Sequence, residues 1–252
     1  MTGRVAEIWR HPIKSHSRER IDQAEVTMGK GLPWDRRWAV AHERSCFDVD
    51  RPRWQPCNEF SIGSKSPRLQ AVSCFTDPAY RSITLSHPDR PDLTIDPDDH
   101  DDANKFIQWV MPISNGGRYL PARLVRGDRE MTDTDYGSIS LINMASHRAL
   151  EQQMGQSLSP LRWRGNLLVE GLAPWEENDW IGKFLRIGEV ELEVRERIAR
   201  CNATMANPET GEKDANTLAG LRDGFGHTDC GVYLVVQKGG WLKQDAEIEV
   251  FL

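Results

Sequence analysis

Short segments in which apolar and polar residues alternate, or in which apolar residues run together, recur along the whole chain. Such segments are typical of β-strands. The clearest alternation is EVELEV at 189–194, which predicts a half-exposed strand, whereas VYLVV at 232–236 is apolar on both faces and predicts a central strand. Further strands are predicted at 5–9, 37–40, 69–75, 119–125, 138–142, 167–170 and 247–251.

Two segments have the period of an α-helix instead. In 102–111 the apolar residues recur on one face until Pro112, which cannot continue a helix. The second helix is predicted at 144–154, with Asn143 as its N-cap and Gly155 at its C-terminal end. Many short strands and few helices predict a mainly β protein with some α structure (α+β), in which barrel-like sheets fit best.

The length of 252 residues allows one large domain or two small ones. We favour two, because the loop GDREMTDTD interrupts the pattern of strands after residue 125. The predicted N-terminal domain therefore covers residues 1–125, and the predicted C-terminal domain covers residues 126–252.

The composition, 38% hydrophobic and 28% charged, is that of a globular protein that works in water. A net charge of -6 argues against a nucleic acid polymer as partner. No apolar run suits a membrane helix or a signal peptide, so we expect a cytoplasmic protein without a membrane partner. The five cysteines include no Cys-x-x-Cys pair, which argues against a disulfide scaffold or a zinc ribbon. Core packing is predicted for Cys74 and Cys230, and Cys46 and Cys57 receive no role.

Positive residues nevertheless cluster in three short motifs, HPIKS at 11–15, WDRRWAV at 34–40 and WRGN at 163–166. Arginine offers a planar fork of donors and lysine a point charge, and both suit a phosphate group. Each motif taken alone is better interpreted as ordinary surface charge. Together, the three motifs favour a site that binds one small anion.

A fourth motif, RIARCNATMANPETGE at 197–212, places a single cysteine between a strand and a turn. Arg197 and Arg200 are expected to favour the thiolate of Cys201 and to lower its pKa below the usual value of about 8.5. A thiolate is the form that attacks or binds a metal. From this segment alone, however, a cysteine that packs in the core is the better interpretation.

Taken in their order, these motifs resemble the MOSC domain preceded by its N-terminal β-barrel domain. WRHPIKS and GLPWDRRWAV resemble the N-terminal part, and RWRGNLLVEGLAPWEENDWIGKFLRIGEVELEV followed by ARCNATMANPETG resembles the long MOSC motif. The segment VYLVVQKGGWLKQDAEIEVF resembles the closing strands. The resemblance covers most of the chain and implies a MOSC β-barrel preceded by a smaller β-barrel-like N-terminal domain.

The resemblance also implies a molybdenum cofactor, a molybdopterin that carries the metal, with Cys201 as the catalytic residue and the only protein ligand to molybdenum. A soft thiolate suits such a metal. The cofactor-binding positions of the family are matched by Lys14, Ser15, Arg36, Ser138, Arg164, Asn166, Arg200, Cys201 and Tyr233. Relatives usually have Arg-Pro-Asn where this chain has Arg-Gly-Asn, and we expect Gly165 to add only loop freedom.

The function that the resemblance implies is that of the mitochondrial amidoxime-reducing component and of bacterial reductases of N-hydroxylated compounds. We therefore expect a molybdenum-dependent reductase of a small N-oxygenated substrate. No cysteine cluster for an iron–sulfur centre is present, so electrons are expected from a separate ferredoxin, flavoprotein or cytochrome-type protein.

Two other functions remain open. One is a non-redox carrier of sulfur or of the molybdenum cofactor that uses Cys201, and the other is a β-barrel binding domain whose cysteine is only structural. The presence of Lys14 and Arg36 favours a stably bound cofactor, and hence the enzyme.

Overall fold

The structure is a computed structural model that describes residues 3–77, 79, 81–114 and 119–251. The strands, in chain order, are β1 (Gly3–Arg10), β2 (Glu19–Ile21), β3 (Gln23–Val26), β4 (Trp38–His42), β5 (Ser73–Thr76), β6 (Ile83–His87), β7 (Arg90–Ile95), β8 (Pro121–Arg126), β9 (Ile139–Asn143), β10 (Leu167–Glu170), β11 (Phe184–Ile187), β12 (Val190–Ala199), β13 (Asp229–Lys238), β14 (Gly240–Lys243) and β15 (Glu247–Phe251). The α-helices are α1 (His100–Val110), α2 (Met144–Met154) and α3 (Thr217–Phe225).

Seven strands form a closed barrel in the order β10–β9–β13–β12–β11–β15–β1, and β1 returns to pair with β10. The first strand of the chain thus closes a barrel whose other strands all come from the second half. Val5 and Ile8 of β1 are fully buried in the same core cluster as Leu192 and Leu234. Closure leaves no free edge between these strands, and β2 extends the sheet beside β1.

The rest of the N-terminal half packs around a second core. The strands β4 and β8 pair with each other, and β5, β6 and β7 form a three-stranded antiparallel sheet. Helix α1 begins after Asp99, whose side chain accepts hydrogen bonds from the backbone N–H groups of Asp101 and Asp102. The helix packs the fully buried side chains of Phe106 and Val110 into this core. The predicted class, mainly β with some α, is confirmed.

Most strongly patterned elements are confirmed with small shifts at their ends. Helix α2 begins after Asn143, whose side chain accepts a hydrogen bond from the N–H of Ala145, and it ends at Gly155, which has φ 61°. Strand β13 is central, since it lies between β9 and β12. The strand predicted at 69–75 is wrong in its first half, because Pro67–Ala71 is a 3-10 helix with a proline in its first turn. The domain boundary after residue 125 stays a prediction.

No helix within the described residues is both long enough and apolar enough to cross a membrane.

Candidate functional site

One cavity of about 240 Å³ is lined by residues from both halves of the chain. Every residue that the sequence proposed as a cofactor contact lines this cavity, although the motifs lie far apart in the sequence. They are Lys14, Ser15, Arg36, Ser138, Arg164, Asn166, Arg200, Cys201 and Tyr233. The structure thus brings the nine residues together, and their roles as cofactor contacts remain predictions.

Cys201 follows β12 and precedes a short 3-10 helix, Asn202–Met205. Its carbonyl accepts two hydrogen bonds from Thr204, one from the backbone N–H at 3.1 Å and one from Oγ1 at 3.0 Å. The Thr204 hydroxyl also lies 2.7 Å from that of Thr217, the first residue of α3. The backbone at Cys201 is therefore held in place, while the residue itself is exposed.

The two arginines that were expected to act on Cys201 have other partners. Arg200 donates through Nε to the carbonyl of Cys230 at 2.8 Å and through Nη1 to the carbonyl of Trp163 at 2.9 Å. Arg197 donates to the carbonyl of Asn178 at 3.4 Å. Both guanidinium groups are engaged with backbone carbonyls, and neither donates a hydrogen bond to the Cys201 side chain.

Arg36 joins the N-terminal half to the barrel half at the cavity wall. Its Nη1 pairs with the fully buried carboxylate of Asp35, and its Nη2 donates to the carbonyl of Arg164 at 2.9 Å. Burial opposes the charge of Arg36, but Asp35 and then Asp133 outweigh it and raise its pKa. The Asp35 carboxylate is itself fixed by the backbone N–H of His11 at 2.7 Å. The charge of Arg36 is thus balanced within the protein.

Arg164 donates to neutral acceptors. Its Nη2 donates to the carbonyl of Ser17 at 2.9 Å, and its Nη1 lies 3.4 Å from the Oε1 of Gln70. Among the described residues, no carboxylate forms an ion pair with it. Burial, and then the neighbouring charges of Arg36 and Arg18, lower the pKa of Arg164 to about 9. A group that is still charged at neutral pH under such repulsion favours an anion beside it.

Lys14 is buried and donates to the carbonyl of Met131 at 2.8 Å and to the carboxylate of Asp133. Partial desolvation opposes ionisation of Asp133, whose side chain is 58% exposed, but Lys14 and then Arg36 hold its pKa well below the usual range. Asp133 is therefore a carboxylate at neutral pH and cannot serve as a general acid. Ser15, next to Lys14, lies at the cavity wall with φ 65°.

Asn166 and Ser138 are also tied to the protein itself. The Oδ1 of Asn166 accepts hydrogen bonds from the backbone N–H and the hydroxyl of Ser140, at 3.1 and 2.8 Å, and its Nδ2 donates to the carbonyl of Trp9 at 3.1 Å. Asn166 thereby links β9 to β1. The hydroxyl of Ser138 lies 2.8 Å from that of Thr134.

Tyr233, in β13, places a phenol at the cavity wall. Burial, and then the negative charge of Asp133, raise its pKa far above neutrality. Its phenol therefore stays protonated at physiological pH and can donate a hydrogen bond.

Sequence reasoning missed several residues of this cavity. Cys57 had no role, yet its Sγ donates to Asp133 at 3.2 Å. Burial raises the pKa of Cys57 to about 11, although the charge of Lys14 acts in the opposite direction. Gln70 lies in the segment that was wrongly predicted to be a strand, and Asp133 lies in a loop without a pattern. Arg162 is the first residue of the segment that resembles the long MOSC motif, but it was not among the predicted cofactor contacts. Cys57, Gln70 and Asp133 belong to no recognisable motif.

The departure at Gly165 has a steric cause. A Cβ at this position would lie 2.3 Å from Cγ1 of Ile142 in β9, which is fully buried. The expectation that the glycine only adds loop freedom is therefore wrong, because the site between Arg164 and Asn166 has no space for a side chain.

Two family models match the chain, the MOSC N-terminal beta barrel domain over residues 2–115 and the MOSC domain over residues 128–249. The chain belongs to the MOSC family. Mitochondrial amidoxime-reducing component 1 of Danio rerio is 24% identical over 248 residues, which cover 83% of this chain and 70% of that protein.

Molybdenum cofactor sulfurases are also similar. The protein of Caenorhabditis briggsae is 32% identical over 127 residues, which cover 49% of this chain and 17% of the sulfurase. The protein of Drosophila grimshawi is 31% identical over 246 residues, which cover 89% of this chain and 31% of the sulfurase. This MOSC protein thus spans a minor part of the length of either sulfurase.

Proposed function

We propose that this MOSC protein binds a molybdenum cofactor and reduces small N-oxygenated compounds, with electrons from a separate electron-transfer protein. The observation that carries the proposal is the cavity itself. It combines an exposed thiol at Cys201 with several cations, and Arg164 has no carboxylate partner among the described residues.

The residues of the cavity fit the donor and acceptor chemistry of such a cofactor. A thiolate at Cys201 is a soft ligand for the metal. Arg164 and Lys14 offer charge-assisted hydrogen bonds to a phosphate, and the Nε of the buried Arg162 has no partner within the described part of the chain. When bound, the cofactor would supply the two-electron oxygen-atom chemistry, for which the side chains have no equivalent.

The chain's own residues would then bind and position the ligands and donate hydrogen bonds to them. Arg164 and Lys14 would hold the phosphate, and Asn166 would keep the barrel wall in register. The neutral phenol of Tyr233 would donate a hydrogen bond to the oxygen of the substrate. Support for a reductase comes from the relative named as an amidoxime-reducing component, whose similarity extends over both domains.

The second candidate is a carrier of sulfur or of the cofactor. It is favoured by the sulfurase relatives, whose identity of 31–32% exceeds the 24% of the amidoxime-reducing component. An exposed Cys201 would also suit a transferable sulfur atom.

The test is metal and pterin analysis of protein from a host that makes the molybdenum cofactor. We expect near-stoichiometric molybdenum in the wild type and loss of molybdenum in Cys201→Ala. The control Cys46→Ala removes an exposed cysteine outside the cavity and should keep its molybdenum. The loaded protein should reduce an amidoxime or a hydroxylamine when an artificial reductant replaces the partner protein. A wild type without molybdenum that carries a persulfide on Cys201 would instead establish the carrier.

A further inference from the structure

Arg162 is an arginine of the cavity wall that is only 1% exposed, and none of the family motifs assigns it a role. Its Nη1 donates to the carbonyl of Thr204 at 2.9 Å, and its Nη2 pairs with Asp214 at 3.2 Å. Its Nε has no hydrogen-bond partner among the described residues. A buried cation with a free donor is costly unless something else satisfies the donor.

The two acceptors of Arg162 belong to the loop that begins with the Cys201 turn and runs to Asp214. Thr204 closes that turn on the carbonyl of Cys201. Asp214 lies at the far end of the same loop, where its second oxygen accepts a hydrogen bond from the side chain of Asn207 at 2.9 Å. Arg162 therefore holds the Cys201 turn from the side of the cavity.

The partial exposure of Asp214 leaves part of this charge unbalanced. Its side chain is 34% exposed, so solvent screens its attraction for the buried guanidinium. A neutral side chain of the same length could fill the space beside Thr204 without this cost. A role limited to packing thus explains neither the charge nor the free Nε–H.

We propose that Arg162 couples the anion site to the cysteine. Its Nε–H donates to a phosphate-type anion bound in the cavity, while its two Nη groups position the turn that carries the Cys201 thiol. Arg162 is thus an anion-binding residue and a positioning residue for Cys201. The inference rests on the proposed function in one respect, because it takes the phosphate of the cofactor as the natural anion.

The first measurement uses cofactor-free protein and inorganic phosphate as the probe, with the dissociation constant from calorimetry. Losing one charge-assisted hydrogen bond should weaken phosphate binding by about tenfold in Arg162→Met. The matched control is Arg37→Met, which removes a partly buried cation that lines a different recess. Its dissociation constant should stay within twofold of the wild type.

The second measurement is the rate at which iodoacetamide alkylates Cys201, followed by peptide mass spectrometry. Asp214→Asn removes the ionic contact between Arg162 and the loop that carries Cys201, and it leaves the Nε–H of Arg162 in place. We expect it to accelerate alkylation of Cys201 about threefold or more and to leave phosphate affinity within twofold of the wild type. Arg162→Met should change both quantities, and a role in packing alone would not separate them in this way.

Arg162→Lys keeps the charge but lacks the Nε–H and cannot bridge the two acceptors, so it should restore phosphate affinity only in part. It replaces Arg162→Met as the test if the methionine variant does not fold. The inference is overturned if the wild type does not bind phosphate, or if the Arg162 variants bind phosphate within twofold of the wild type.

These outcomes are separable from those of the proposed function. Protein without molybdenum whose phosphate affinity depends on Arg162 would refute the proposed function and support the inference. If the protein contains stoichiometric molybdenum and Arg162→Met leaves the phosphate affinity unchanged, the proposed function is supported and the inference is refuted.

Discussion

The clash at Gly165 yields a prediction about stability that can be worked out atom by atom. In Gly165→Ala the new Cβ would lie 2.3 Å from Cγ1 and 3.1 Å from Cδ1 of Ile142. Carbon atoms in contact prefer about 3.5–4.0 Å, so either the isoleucine or the backbone must move. Ile142 is fully buried in β9, and the carbonyl of Gly165 lies 3.3 Å from the Nε2 of His11.

The expected cost follows from the physics of overpacking. Inserting a methyl group into a filled core costs about 1–3 kcal/mol, and we expect Gly165→Ala to lie in this range. Ile142→Ala alone should cost about 2–5 kcal/mol because it leaves a cavity. The double variant should be more stable than the sum predicts by about 1 kcal/mol or more, since the new methyl group enters the space that the isoleucine vacates.

The assay is urea unfolding of cofactor-free protein followed by circular dichroism, with the free energies combined in a double-mutant cycle. Gly63→Ala is the matched control, because the nearest atoms to its new Cβ would be at 3.6 Å, an ordinary contact. A change of less than about 0.5 kcal/mol in the free energy of unfolding of Gly165→Ala, or additivity of the two substitutions, would contradict a clash with Ile142.

Three further predictions concern buried ionisable groups. Burial lowers the pKa of His16 from 6.5 to about 4, so the unfolded chain takes up the proton at a higher pH than the folded protein. The neutral, buried His16 therefore contributes a stability that is fully present above pH 6.5 and is lost as the pH falls to about 4, and the loss amounts to about 3 kcal/mol. His16→Gln should flatten this part of the curve of unfolding free energy against pH, and an unchanged slope would contradict it. Asp35→Asn leaves the buried Arg36 without its carboxylate partner and should lower the free energy of unfolding, measured in urea, by about 3–5 kcal/mol. A decrease below about 1 kcal/mol would show that the fold does not need this pair. Because burial raises the pKa of Cys57 to about 11, iodoacetamide at pH 8 should modify exposed Cys46 well before Cys57, and equal rates by mass spectrometry would refute this.

The sequence predicted best what depends on local pattern. Helix α2 was predicted with both of its ends, because Asn143 and Gly155 act on neighbouring backbone groups. The nine residues predicted to contact the cofactor were chosen through motifs of a few residues each, and the fold brings them to one cavity. Neither result required knowledge of which strands pair.

What the sequence did not show depends on contacts between distant segments. Nothing in β1 indicates that it closes a barrel made of strands from the second half. Gln70 and Cys57 become part of the cavity only because the loops that carry them fold against it. The expectation for Gly165 was wrong because the neighbour that excludes a side chain, Ile142, lies 23 positions earlier in the sequence.

The pairing of charges within the cavity, rather than the net charge of -6, indicates which class of ligand the cavity suits. Five cations line the cavity, namely Lys14, Arg36, Arg162, Arg164 and Arg200. Three of them have a carboxylate partner: Lys14 pairs with Asp133, Arg36 with Asp35 and Arg162 with Asp214. The other two have only neutral acceptors among the described residues, which leaves a surplus of about two positive charges. A phosphate monoester carries about two negative charges near neutral pH, so it balances this surplus where a neutral ligand would not. Because three of the five cations already have a carboxylate partner, the protein should fold without its ligand, and removing Arg164 should weaken anion binding more than it weakens the fold.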